Sequence, residues 1–203
     1  LLAFGLGVGA YVTSIGGESY LAFIAPGILA QSAMFSASFE CTYGSFVRME
    51  FQKTFDAIIA TPVSIQDVVA GEILWGMSRG LFSAFAILVI IGLMGLVDWP
   101  TAILTLPVAL LAGFMFASIA MLVTSVAPSI DSFNYFITLG LTPMFLVSGV
   151  FFPLDRLPPI FQQLAWLSPL THVVIPIRAL TTGQLYWGLL VNVAIVVVIG
   201  AVA

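Results

Sequence analysis

Charge is what this chain has least of. Of its 203 residues only 7% are Asp, Glu, Lys or Arg, where soluble domains carry about 25%. A soluble fold needs far more charge than that to cover its surface. Five Lys and Arg residues cannot line a phosphate-tracking surface, so nucleic-acid binding is excluded. A single cysteine, Cys41, excludes an intrachain disulfide and any Cys-cluster metal site. There is one histidine, His172. No G-x-x-x-x-G-K-S/T loop is present, so this chain holds no phosphate cradle of that kind. Nine acids against five bases leave a net charge of −4, too few charges to say much about partners.

Apolar residues fill the space that charge leaves. AVILMFWYC make up 61% of the chain, and the mean hydropathy is +1.19. That composition predicts a polytopic membrane protein. Barrel strands would alternate apolar and polar at every second residue. The runs here are continuous, so an all-α helix bundle is expected instead.

A spanning helix needs about 20 apolar residues. Six candidates follow in order: Leu1 to Thr13, Tyr20 to Gly44, Ile73 to Val97, Thr101 to Val126, Phe133 to Phe152 and Tyr186 to Ala203. The first and last are short, as in a segment of a longer protein. The expected organisation is a single transmembrane bundle over residues 1–203, with polar loops at 45–72 and 153–183. Arg48, Lys53 and Arg79 lie toward one side, Arg156 and Arg178 toward the other. That split leaves orientation open under the positive-inside rule.

The loop 45–72 holds six of the charges: Arg48, Glu50, Lys53, Asp56, Asp67 and Glu72. Phe51, Phe55, Ile58 and Ile59 fall on one helical face and Gln52, Lys53 and Asp56 on the other, which predicts a short amphipathic helix. Thr61-Pro62 ends it, because the residue before proline is pushed out of the helical region. Ser64 with Asp67 three residues on reads as the cap of the next helix. The short helix either rests on headgroups or docks a soluble partner.

The stretch 153–183 is too polar and proline-rich to cross. Leu157, Ile160, Phe161, Leu164 and Leu167 repeat at threes and fours, opposite Gln162 and Gln163. Ser168-Pro169 then starts a second short helix that Pro176 is expected to kink. Two such helices make a re-entrant or surface hairpin. It serves either as a lid on the bundle or as a gate that touches substrate.

Glu40, Glu72 and Arg79 sit near the loop ends of the second and third spans. Intramembrane charges are usually paired or face water, so Arg79 is expected to pair with one of these acids, to snorkel or to touch a substrate directly. No catalytic constellation is visible. Val147-Ser148-Gly149 with His172 hints at a serine protease, but one Ser and one His do not make a dyad without further geometry. His172 beside Pro169 reads as a structural histidine.

Two runs resemble a known family. F-D-A-I-I-A-T-P-V-S-I-Q-D-V-V-A-G-E, Phe55 to Glu72, is similar to the loop after the second span of ABC transporter type-2 permeases. S-G-V-F-F-P-L-D-R-L-P, Ser148 to Pro158, followed by L-S-P-L-T-H-V-V-I-P-I-R, Leu167 to Arg178, resembles the end of the same family. The Pro-Leu-Thr-His form looks most like its NodJ-type branch of lipooligosaccharide and drug export permeases. The chain departs from the pattern at Lys53, where many members have Gly, and at Arg48-Met49-Glu50, where a charged E-R-E run is thinned.

The resemblance implies a non-enzymatic permease subunit of an exporter in the bacterial inner membrane, working as a homodimer. It would bind no cofactor or metal itself. A separate ATP-binding subunit would bind ATP and magnesium. The coupling residues would be Thr54, Phe55, Asp56, Ile58, Ile59, Thr61 and Pro62. The external hairpin would carry Pro153, Asp155, Pro158, Pro169, His172 and Arg178. The cargo would be an amphiphile: a lipooligosaccharide, polysaccharide, lipid or drug. An intramembrane enzyme and a non-transport scaffold subunit are the rival classes.

Overall fold

The computed structural model describes residues 18–203 together with Gly7, Tyr11 and Ser14–Ile15. The proposed first span, Leu1 to Thr13, therefore falls almost wholly outside the described residues. Before the first long helix, β1 (Ser14–Ile15) pairs antiparallel with β2 (Glu18–Ser19). This two-rung ladder is the one departure from an all-helical chain among the described residues.

Eight helical segments follow: α1 (Tyr20–Phe51), α2 (Thr54–Ile59), α3 (Ile65–Leu93), α4 (Trp99–Val126), α5 (Ser132–Val147), α6 (Pro159–Leu167), α7 (Thr171–Thr181) and α8 (Gly188–Val202). Three of them, α1, α3 and α4, are long and apolar enough to cross a membrane. α6 and α7 meet at 91°, and α5 and α8 are shorter apolar helices. The protein is a multi-pass membrane helix bundle.

Several boundaries differ from the sequence reading, each for a local reason. α1 does not stop at Gly44. It runs on to Phe51 through two π-helical turns, Glu40–Gly44 and Val47–Phe51. α3 begins at Ile65, well before Ile73. Asp67 N–H donates to Ser64 Oγ (3.3 Å) and Ser64 N–H to Asp67 Oδ2 (3.0 Å), a complete capping box. α3 ends at Leu93 instead of Val97, where Gly95 takes φ +69°. α5 stops at Val147 instead of Phe152, just before Gly149 at φ +77°. α7 starts at Thr171, after Ser168-Pro169-Leu170, and passes through Pro176 as one helix. The sharp bend lies between α6 and α7, not at that proline.

Small side chains let α1, α3 and α4 approach closely. Ala33, Ala37 and Cys41 of α1 are fully buried, as are Ala84 of α3 and Ala109, Ala112, Ala117 and Ala120 of α4. A Cβ on Gly113 of α4 would stand 2.9 Å from the Met77 carbonyl oxygen of α3. In a membrane, where lipid is as apolar as leucine, such close packing is what binds helices together.

The bundle has two polar ends. At one, Asp98 N–H donates to the Thr181 carbonyl (2.9 Å), which ties the α3–α4 turn to α7. The start of α1 and the segment from Gly149 to Gly183 lie at this hairpin end. At the other end are α2 and the α4–α5 turn. There Tyr43 Oη donates to Asn134 Oδ1 (3.3 Å) and Thr124 Oγ1 to the Cys41 carbonyl (2.8 Å).

Candidate functional site

Three features gather the residues singled out above. The first is a charge cluster between α1 and α3, toward the α2 end. Arg48 is its hub. Nε donates to Glu72 Oε1 (2.9 Å), while Nη1 and Nη2 donate to Glu40 Oε1 (3.1 Å each). Ser45 Oγ donates to Glu72 Oε2 (2.6 Å) and Trp75 Nε1 to Glu40 Oε1 (2.9 Å). The structure brings Arg79 only to the rim. Its Nε lies 3.6 Å from Glu40 Oε2 with the side chain 54% exposed, and no ion pair joins it to Glu72. The acids are well covered, at 18% for Glu40 and 13% for Glu72.

The π turns set this geometry. A widened turn re-aims the side chains beyond it, and Glu40 opens the first while Arg48 lies in the second. Ser45, Arg48 and Trp75 were missed at the sequence level. A usable signal was there: Glu72, Trp75 and Arg79 follow at three and four on one face of α3.

The second feature is α2. Its first turn is entered through Lys53 at φ +52°, a left-handed conformation that side chains resist. Phe55 is 5% exposed and packs with Val68 of α3 and Met121 of α4, with Ile58 against the same cluster. Their apolar face is therefore turned inward, onto the chain itself. Asp56, Ala57, Ile59 and Ala60 face outward, and Thr61-Pro62 follow in an exposed turn. Thr61 Oγ1 donates to the Ile58 carbonyl (2.6 Å), closing the helix end.

The third feature is the hairpin. Pro153 precedes a 3₁₀ turn over Leu154–Arg156 that leaves Asp155 exposed, and Pro158 precedes α6. α6 buries only Ala165 and presents Ile160, Phe161, Leu164, Trp166 and Leu167 outward. As a lid it covers little. Pro169 is half-buried in the bend. His172 is buried. Its Nε2 donates to the Trp166 carbonyl (3.0 Å), and Nδ1 lies 2.8 Å from Asn192 Oδ1. One ring thus joins α6, α7 and α8. Ser148 Oγ bonds Ser168 Oγ (2.8 Å) and the Met144 carbonyl, not His172, so no serine–histidine dyad forms. Arg178 sits on α7, and its Nη2 donates to the Phe23 and Gly149 carbonyls (3.3 and 2.9 Å).

The long apolar helices make a multi-pass membrane bundle with a short helix at one polar end and a pair of short helices bent by 91° at the other. The ABC-2 type transporter family model matches residues 1–182, and the chain belongs to that family. It is 43% identical over 178 residues to nodulation protein J of Sinorhizobium fredii, covering 88% of this chain and 68% of that protein. Nodulation protein J of Rhizobium leguminosarum bv. trifolii is 40% identical over 184 residues, 91% of this chain and 70% of that protein. The inner membrane transport permease YadH of Escherichia coli is 29% identical over 176 residues, 85% of this chain and 67% of that protein. No solved structure matches.

Proposed function

We propose that this chain is the membrane subunit of an ABC exporter of the bacterial inner membrane, a six-span permease that works as a homodimer. A separate ATP-binding subunit binds ATP with magnesium and docks on α2. The α2 end is cytoplasmic and the hairpin over 153–183 is external. ATP binding draws the two partner subunits together, and α2 passes that movement to the spans as a shift between two access states, biased by differential binding. The cargo is amphipathic, in keeping with an apolar bundle of few charges. The location follows the printed name of the YadH relative.

The observation that carries this reading is how α2 is mounted. Phe55 and Ile58 anchor it to α3 and α4, so a push on its outer face reaches two long helices directly. Asp56 and Ile59 are the largest side chains of α2 on the outer face left to meet a partner. Asp56→Arg with Ile59→Asp should abolish co-purification of the ATP-binding subunit while the permease still inserts and melts normally. Survival of that complex would remove α2 as the docking element. Phe55→Asp should instead destabilise the permease itself.

A further inference from the structure

Arg178 is a half-buried cation with no salt-bridge partner among the described residues, and the nearest acid, Glu18, acts on it only from a distance. Two backbone carbonyls take its Nη2, and its Cζ stands 4.1 Å over the Phe23 ring. Its Nε is buried with no acceptor among the described residues. No carboxylate of the described residues pairs with it. Carbonyl dipoles and a ring face offset part of the cost of burying that charge, but an anion would complete it.

A cavity of about 230 Å³ adjoins this side of α7. Its polar lining is Arg178, Glu18, Thr182, Gln184 and Tyr186. Glu18 is exposed and Arg178 is deeper, so the cavity offers a carboxylate nearer solvent and a guanidinium further in. The two do not pair with each other. Tyr186 also lines a second cavity of about 440 Å³. That one is otherwise apolar, walled by Leu104 and Val108 of α4, Pro176 and Leu180 of α7, and Leu189 and Val193 of α8. Trp187 and Trp99 are exposed at this end, the aromatic chemistry that marks a membrane–water boundary.

We propose that the two cavities form one site for a resident bilayer phospholipid whose head carries both a phosphate and a primary ammonium. The phosphate completes Arg178, with Thr182 and Gln184 as neutral donors. The ammonium donates to Glu18, and one acyl chain lies in the apolar cavity. Charge complementarity selects this head. A glycerol phosphate head brings only an anion and meets Glu18 with like sign. A choline head carries no N–H for the carboxylate. The site needs no particular cargo or direction of transport.

The test is native mass spectrometry of the full chain released from nanodiscs holding equal phosphatidylethanolamine, phosphatidylglycerol and phosphatidylcholine. The ethanolamine lipid should be retained about tenfold over each of the others, the discrimination expected of one charge-assisted hydrogen bond. Glu18→Gln, an exposed change that leaves the fold alone, should bring retention of the ethanolamine and glycerol lipids within about twofold. Arg178→Gln should lose all three. Equal retention by the unchanged protein, or an undiminished preference in Glu18→Gln, would overturn the site.

Discussion

Replacing Arg48 with Met tests which cation holds the charge cluster together. The side chain is 27% exposed and its two acids 18% and 13%. Its loss leaves Glu40 and Glu72 facing each other with little water. Removing one partner of a fully buried pair costs about 3–5 kcal/mol. The partial exposure here reduces that to about 2–4 kcal/mol. Arg79 is different. At 54% exposure and 3.6 Å from Glu40, it is an exposed ion pair worth at most about 1 kcal/mol. At about 2–4 °C per kcal/mol for a chain of this length, Arg48→Met should lower the melting temperature by about 4–16 °C. On the same scale Arg79→Leu should lower it by less than about 4 °C. Cys41 makes the assay simple. It is the chain's one cysteine and it is buried, so a thiol-reactive fluorophore reports unfolding in detergent. Adding Glu72→Gln to Arg48→Met should recover part of the loss, because it removes the stranded acid. Equal shifts for the two arginine variants, or a larger one for Arg79→Leu, would refute the assignment of Arg48 as the hub.

Three further outcomes are expected. In a Cys41→Ala background, single cysteines at Gln52 and Gln163 should label from opposite sides of the membrane; labelling from one side would exclude the six-span topology. Lys53→Gly should leave stability unchanged or raise it by at most about 1 kcal/mol, since it relieves a left-handed φ of +52° and gives up only an exposed pair with Glu50. A loss in the melt would show that the Lys53 side chain does more. Gly113→Ala should cost about 1–3 kcal/mol, because its Cβ meets the Met77 backbone at 2.9 Å; a neutral result would mean that α3 and α4 part freely.

Signals that act within a few residues were legible in the sequence. The Ser64–Asp67 capping box and the pair of short helices in the hairpin follow from local chemistry. Long-range choices were not. Periodicity put Phe51, Phe55, Ile58 and Ile59 on one face, but only Phe55 and Ile58 turn inward, while Phe51 ends α1 and Ile59 is exposed; Phe55 meets Val68 and Met121 only after α3 and α4 fold past it. Arg48 was hidden behind Arg79 because the pairing was sought between α-helical faces, and π turns leave no mark in hydrophobic spacing. The Asn192 partner of His172 lies on another helix, twenty residues on, where no motif points.

The π turns of α1 also make that helix unevenly tolerant of lost length. Each residue advances a helix by about 100°, so deleting one near Ala30 would swing the alanines of its first half away from α3 and α4. A deletion between Glu40 and Phe51 has slack to draw on, because a π turn already carries a surplus residue that can tighten into an ordinary one. The helix behaves like a shaft with an expansion joint at one end. Its membrane half keeps a fixed angular setting, while the half that leads to α2 can take up or release a residue without turning the rest.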